Sequence, residues 1–137
     1  NTEEEAQKAK ECLLTSIDML DAVESARLVI EAIVENVKAK QELFIKLDEV
    51  LPVDVPICSN TSGLRITDIS LKCKHPERTV TTHFWLPAHL VPLVEVVMGD
   101  KTDRLVAEKV KNEFASAIGS MAQEWIKQPK LTQIRKS

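Results

Sequence analysis

His83 and Glu95 are the two residues whose types and surroundings best suit chemistry in this chain. A β-branched run at residues 79–82 leads directly into His83, and a second apolar run at residues 93–97 contains Glu95. Burying a carboxylate in such a run costs free energy unless the carboxylate has a partner. His83 is the nearest candidate partner, and an imidazole held by a carboxylate makes a general base tuned to neutral pH.

The elements around these residues alternate between buried strands and amphipathic helices. Apolar and β-branched runs predict strands, whereas apolar residues at helical spacing behind capping residues such as Asn36 and Asp18 predict helices. The predicted strands are residues 13–17, 27–34, 55–59, 79–83 and 93–97, and the predicted helices are residues 2–10, 18–24, 36–50, 66–71 and 102–119. This order is typical of an open α/β sheet that is mostly parallel, and the short link before residues 93–97 suits an antiparallel edge strand.

Polar side chains follow three of the predicted strands at their carboxyl ends. Glu35 follows the second strand, Asn60 and Ser62 follow the third, and His83 ends the fourth. Because ligands bind outside the carboxyl ends of the strands in open α/β sheets, these four residues are the candidate site.

Each of these residues also has a purely structural interpretation. His83 alone is compatible with a hydrogen-bonded core histidine, and Glu95 with a surface acid on an edge strand. Ser62 suits a turn or helix cap, and Glu35 suits the start of the helix that follows it. The basic residues 127–136 are typical of a solvated tail.

Composition excludes several other classes of protein. The 137 residues, 44% of them hydrophobic, are enough for one domain with one core, and the net charge is −3. The sequence has no basic stripe interleaved with aromatic residues, which would favour nucleic-acid binding. It also has no apolar run as long as a membrane span. The odd set of Cys12, Cys58 and Cys73 has no metal-site spacing, so we expect no metal and a reducing compartment, the cytoplasm or an organelle matrix.

Several motifs together resemble the NAD-binding domain of 3-hydroxyacyl-CoA dehydrogenases. Residues 28–36 read LVIEAIVEN, and they are followed by KQELF at 40–44, SNTS at 59–62, ITDI at 66–69, HPER at 75–78 and PLVEVV at 92–97. These motifs keep the order and mutual spacing of the family, and the similarity covers roughly residues 13–119.

The resemblance implies both a fold and a reaction. The fold is a partial Rossmann-type domain at residues 1–119, followed by a short helix and a frayed basic tail at residues 120–137. The reaction is oxidation of a 3-hydroxyacyl-CoA to a 3-ketoacyl-CoA in fatty acid metabolism, with NAD as cofactor. In that reaction His83 resembles the base, Glu95 the residue that orients it, and Ser62 a residue that binds the substrate oxygen. The positions that resemble cofactor-binding ones are Ala32, Glu35, Lys40 and Asn60.

The sequence departs from the family pattern in ways that keep other functions open. It has no G-x-G-x-x-G loop, and Leu86 stands where many members have asparagine. We expect the glycine loop and the opening strands to lie upstream of Asn1, and a helical domain to follow elsewhere. The alternatives are a truncated, non-catalytic binding module and a related branch that acts on carnitine-like or sugar-acid substrates.

The missing opening strands would leave residues 27–34 as an apolar edge of the sheet. Unpaired backbone groups at such an edge favour pairing with another strand. We therefore expect the chain either to aggregate or to pair with another chain along this edge, as in a homo-oligomer.

The missing glycine loop leads to a prediction about cofactor affinity. The backbone N–H groups of that loop bind the pyrophosphate of a dinucleotide, so residues 1–137 alone should bind NAD negligibly. Calorimetry with NADH checks this, and micromolar binding would contradict it.

Overall fold

The computed structural model describes residues 2–87, 90, 91 and 93–118, which form a four-stranded sheet with flanking helices. The helices are α1 (Glu3–Glu11), α2 (Met19–Val23), α3 (Val37–Val50), α4 (Ile66–Ile69) and α5 (Arg104–Ile118), with a 3₁₀ turn at Pro76–Arg78. The strands are β1 (Val29–Glu31), β2 (Ile57–Ser59), β3 (Thr79–Phe84) and β4 (Val94–Met98). They lie in the order β1-β2-β3-β4, with β4 antiparallel to β3 and the others parallel. The predicted α/β class and antiparallel edge strand are confirmed.

Two of the helices begin where their capping residues predict. Asn36 accepts a hydrogen bond from the Ala39 amide at 3.1 Å and starts α3. Asp18 accepts from the Leu20 amide at 2.7 Å and starts α2. A side-chain oxygen at this position satisfies an amide that the helix itself leaves unpaired, which is why these starts can be predicted locally.

Two groups of buried side chains hold the layers together. The first joins α3 and α4 to one face of β2 and consists of Phe44, Leu47, Leu51, Val55, Ile57, Ile66 and Ile69. The second joins α5 to β3 and β4 and consists of Cys58, Val80, Val94, Val110 and Phe114. Because successive residues of a strand point to opposite faces, Ile57 and Cys58 of β2 belong to different groups.

The predicted strand at residues 13–17 is wrong. This segment has no regular secondary structure, and its apolar side chains are exposed, that of Leu14 by 94%. A strand needs a neighbour for its backbone N–H and C=O groups, and none of the four described strands lies beside this segment. The predictions for residues 119–137 lie outside the described residues.

The strand predicted at residues 27–34 is shorter in the structure, where it is β1, and it lies at the edge of the sheet. Only Val29–Glu31 pairs with β2, because β2 itself has three residues and is preceded by Pro56, which has no N–H to donate. Beyond the strand, Ile33 and Val34 are exposed. Association through this edge stays a prediction.

A buried ion pair fixes the start of β3. The Arg78 guanidinium donates to Asp48 Oδ1 at 2.8 Å and to the carbonyls of Leu51, Pro52 and Val55 after α3. Burial acts to raise the pKa of Asp48, but the Arg78 hydrogen bond and the amides of residues 74 and 75 lower it below its ordinary value of 3.8. The end of α3 and the start of β3 are therefore tied at one point.

Gly99 ends β4 where the chain lies against α4. A Cβ atom at this position would lie 2.7 Å from Ile66 Cγ2 and 3.2 Å from the Thr67 amide nitrogen. The 2.7 Å contact is too short for two carbon atoms and the 3.2 Å contact is tight, so a larger residue would displace β4 or α4.

We predict that Gly99→Ala lowers the free energy of unfolding by about 1–3 kcal/mol, as overpacking of a close contact does. Urea denaturation checks this. The matched control is Gly63→Ala, where an added Cβ would lie 3.9 Å from its nearest neighbour, Glu35 Oε1. The control should stay within about 1 kcal/mol of the wild type. Equal stability of both variants would contradict the close approach.

Candidate functional site

The antiparallel pairing of β3 and β4 places His83 directly opposite Glu95. The His83 Nδ1 atom lies 2.9 Å from Glu95 Oε2, and the two side chains are 24% and 20% exposed. The pair predicted from the sequence is therefore in contact, partly shielded from water and open on one side.

This contact determines which imidazole nitrogen can act as a base. An ionised carboxylate only accepts hydrogen bonds, so His83 Nδ1 carries the proton when the ring is neutral. The other nitrogen, Nε2, then holds the free electron pair. Nε2 lies 3.3 Å from the Ser62 hydroxyl. Ser62, His83 and Glu95 therefore form one line of hydrogen-bonding groups, with the basic nitrogen on the Ser62 side.

The serine turn, which we define as residues 60–63, is bound by one carboxylate. Glu35 Oε1 accepts from the Thr61 hydroxyl at 2.5 Å, from the Gly63 amide at 3.1 Å and from the Ser62 amide at 3.2 Å. Burial acts to raise the pKa of Glu35, but the hydrogen bonds from Thr61 and Gly63 and the charge of Lys40 lower it overall. Glu35 is therefore ionised at neutral pH and acts as an acceptor.

Asn60 joins the carboxyl ends of three strands. Its side-chain oxygen accepts from the Phe84 amide at the end of β3 at 3.1 Å. Its own amide donates to the Glu31 carbonyl at the end of β1 at 2.8 Å. Asn60 thereby holds the serine turn beside His83.

The predicted cofactor-binding residues occupy two different depths. Ala32 and Glu35 lie exposed after β1, whereas Lys40 is fully buried. The Lys40 ammonium lies 2.6 Å from Glu31 Oε1 and 3.5 Å from Glu35 Oε2, and it donates to the Ile33 carbonyl at 3.3 Å. Lys40 thus lies beneath the surface that carries the other candidates.

Sequence reasoning missed Glu31, which is 3% exposed. Its carboxylate accepts from Lys40, from the Ser59 hydroxyl at 2.6 Å and from the Ile33 amide at 2.6 Å. The signal that singled out Glu95, a carboxylate inside an apolar run, is also present at Glu31 within residues 28–34. The same criterion applied twice finds both acids.

The model of one protein family matches residues 1–124, and its description is the NAD binding domain of 3-hydroxyacyl-CoA dehydrogenase. The chain belongs to this family. NAD is the cofactor of the domain, and the fold and family expected from the motifs are confirmed.

Known relatives are similar over most of this chain but are much longer. The mitochondrial hydroxyacyl-coenzyme A dehydrogenase of Mus musculus is 38% identical over 117 residues, 85% of this chain and 37% of the relative. The 5-formyl-3-hydroxy-2-methylpyridine 4-carboxylate 5-dehydrogenase of Mesorhizobium japonicum is 39% identical over 85 residues, 62% of this chain and 28% of the relative. The crystal structure of 3-hydroxybutyryl-CoA dehydrogenase from Escherichia coli K12 has a TM-score of 0.82 and 36% identity, covering 88% of this chain and 25% of that one.

The residues present fit one end of NAD. The carboxyl ends of β1, β2 and β3 carry the exposed Ala32, the exposed Ser62 and the accessible imidazole of His83 along one rim. An open rim that carries a small residue and an imidazole is compatible with a nicotinamide and a substrate positioned against it. With no G-x-G-x-x-G in the sequence, we assign no residue to the pyrophosphate.

The described part of the domain shows neither a metal site nor a membrane-spanning helix. Among residues 2–87, 90, 91 and 93–118, no three His, Cys, Asp or Glu side chains are grouped as metal ligands would be. No helix of this part is long and apolar enough to cross a membrane. Burial raises the pKa of the Cys58 thiol to about 12, so Cys58 is a packed thiol and not a nucleophile.

We predict that neutral His83 carries its proton on Nδ1, because Glu95 accepts there. Nitrogen-15 NMR of the histidine side chains distinguishes the two tautomers. Glu95→Leu removes the acceptor, and the Nδ1-protonated fraction of His83 should then fall.

The matched control uses a second histidine–glutamate pair. His75 Nδ1 lies 3.0 Å from Glu77 Oε1 on the exposed surface. Glu77→Leu should leave the tautomer of His83 unchanged. A wild-type His83 protonated on Nε2 would overturn the assignment of the base.

Proposed function

We propose that the chain is the part of a 3-hydroxyacyl-CoA dehydrogenase that positions the catalytic base, with His83 as that base. The supporting observation is the line from the Ser62 hydroxyl through the His83 ring to the Glu95 carboxylate. In this proposal residues 1–119 are the dehydrogenase domain. The location is the cytoplasm or an organelle matrix, and the mouse relative is named as mitochondrial.

The proposed reaction converts a secondary alcohol to a ketone. The hydroxyl proton passes to His83 Nε2, and the C–O single bond becomes a double bond. The C–H electron pair leaves the same carbon as hydride, for which NAD, when bound, would be the acceptor. Since an alcohol loses hydride readily only as its proton is removed, a base at this position is required.

The neighbours of His83 support each stage of the proton transfer. Because Glu95 accepts from Nδ1, it keeps Nε2 unprotonated before the reaction. It then stabilises the imidazolium that forms when Nε2 takes the proton. The Ser62 hydroxyl lies 3.3 Å from Nε2. When the substrate hydroxyl takes the place of Ser62 at Nε2, the Ser62 hydroxyl donates a hydrogen bond to the substrate oxygen instead. Glu35 and Ala32 would line the side of the site that takes the ribose and nicotinamide of NAD. Asn60 orients the serine turn, and the buried Lys40 contacts Glu35 from below the rim.

The substrate class is a 3-hydroxyacyl-CoA, supported by the names of the mouse and Escherichia coli relatives. The Mesorhizobium relative is named for a pyridine carboxylate. The second candidate is therefore a related branch of the family that acts on another hydroxy substrate, such as a carnitine-like or sugar-acid one, with His83 as the same base.

The test is turnover of 3-hydroxybutyryl-CoA and NAD, measured as NADH formation. It uses the polypeptide encoded by the complete reading frame that contains residues 1–137. His83→Gln should lower kcat/KM by about 100- to 10,000-fold, the usual contribution of a general base. The matched control is His75→Gln, which changes another carboxylate-paired histidine and should retain activity.

Three results would contradict parts of this proposal. Equal activity of His83→Gln and the wild type would exclude His83 as the base. Turnover of other hydroxy acids alone would assign the chain to the second branch of substrates. Binding of NAD without turnover of any hydroxy acid would assign it to the non-catalytic alternative.

A further inference from the structure

The sheet holds only the first residue of the serine turn, Asn60, which bonds to the ends of β1 and β3. Residues 62 and 63 are exposed and follow the end of β2, beyond its ladder with β3. Their amides donate to the Glu35 carboxylate, on the segment after β1. The distance from the Ser62 hydroxyl to His83 therefore depends in part on where Glu35 lies.

Glu35 also needs a partner to stay in place, since its side chain is 47% exposed. One carboxylate oxygen binds the serine turn, and the other lies 3.5 Å from the Lys40 ammonium. Lys40 comes from α3 and is completely buried, so its position is fixed far more firmly than that of Glu35.

Three polar contacts surround the Lys40 ammonium. It donates to Glu31 Oε1 at 2.6 Å and to the Ile33 carbonyl at 3.3 Å, and it forms an ion pair with Glu35 Oε2 at 3.5 Å. Glu31 in turn is held by Ser59 of β2. These contacts hold the ammonium beside the end of β1.

The energetics of such a pair argue for a role beyond stability. Removing two charges from water is costly, and an apolar pair of similar volume often stabilises a protein as well or better. The pair of Glu31 and Lys40 is fully buried on both sides. What an apolar pair would lack is the third contact, from the ammonium to Glu35.

We propose that Lys40 is a positioning residue, which fixes the Glu35 carboxylate and, through the serine turn that this carboxylate binds, the hydroxyl of Ser62. This inference rests on the proposed function only in treating Ser62 and His83 as the working groups. Its readouts need neither NAD nor substrate, so it can fail independently of the dehydrogenase assignment.

The test separates a positioning role from a structural one by changing both charges together. The double variant Glu31→Gln/Lys40→Met leaves no unpaired buried charge, so the domain should fold with near-wild-type stability. Hydrogen exchange at the Ser62 and Gly63 amides should nevertheless accelerate by roughly tenfold or more, as expected when charge-assisted hydrogen bonds weaken. NMR on the 137-residue chain measures both quantities.

A second readout follows the charge of Glu35 directly. The amide shift of Gly63 reports protonation of this carboxyl, whose pKa in the wild type lies below the ordinary 4.5. The charged groups linked to it are Lys40 from α3, Glu31 behind Lys40, and His83 through Ser62. The double variant removes the charge of Lys40 and should move the Gly63 titration to higher pH.

Two further variants complete the experiment. Lys109→Met removes an exposed lysine that donates to the Asp54 carbonyl, and it should change neither readout. Glu35→Gln changes the surface side of the link, keeps the core intact and should abolish the Gly63 titration while accelerating exchange. Wild-type exchange and titration in the double variant would overturn the proposal, and so would wild-type exchange in Glu35→Gln.

Discussion

The contact between the His83 ring and the Glu95 carboxylate is the interaction on which the rest of the site depends. It exists because β3 and β4 pair in a register that sets these two residues directly opposite each other. A slip of one residue would send their side chains to opposite faces of the sheet. The ion pair of Asp48 and Arg78 ties the start of β3 to the end of α3.

The polar rim of the sheet is supported from inside the protein. Asn60 ties the ends of β2 and β3, whereas Glu35 ties the serine turn to the end of β1. Beneath them lies the buried charge of Lys40 and Glu31. The exposed groups of the rim are thus oriented in part by fully buried ones, which is how a rigid site is built on a small sheet.

The sequence could predict those features whose causes lie close together along the chain. Asn36 and Asp18 mark helix starts, and the apolar runs around His83 and Glu95 mark both strands and their polar exceptions. The segment at residues 13–17 shows the limit of that reasoning, because its apolar residues predict a strand but supply no neighbour for it. The contacts of Lys40 with Glu31 and Glu35 could not be foreseen either, since they depend on the way α3 lies across β1.

The ladders of the sheet are unequal in length, and the site spans the inequality. Five residue pairs join β3 to β4, whereas three join β1 to β2 and three join β2 to β3. The imidazole and its carboxylate therefore lie on the longest ladder, and the serine hydroxyl lies beyond a shorter one. On heating, the serine turn should lose its order before the contact between His83 and Glu95 does, because the shorter ladder has fewer backbone hydrogen bonds to break.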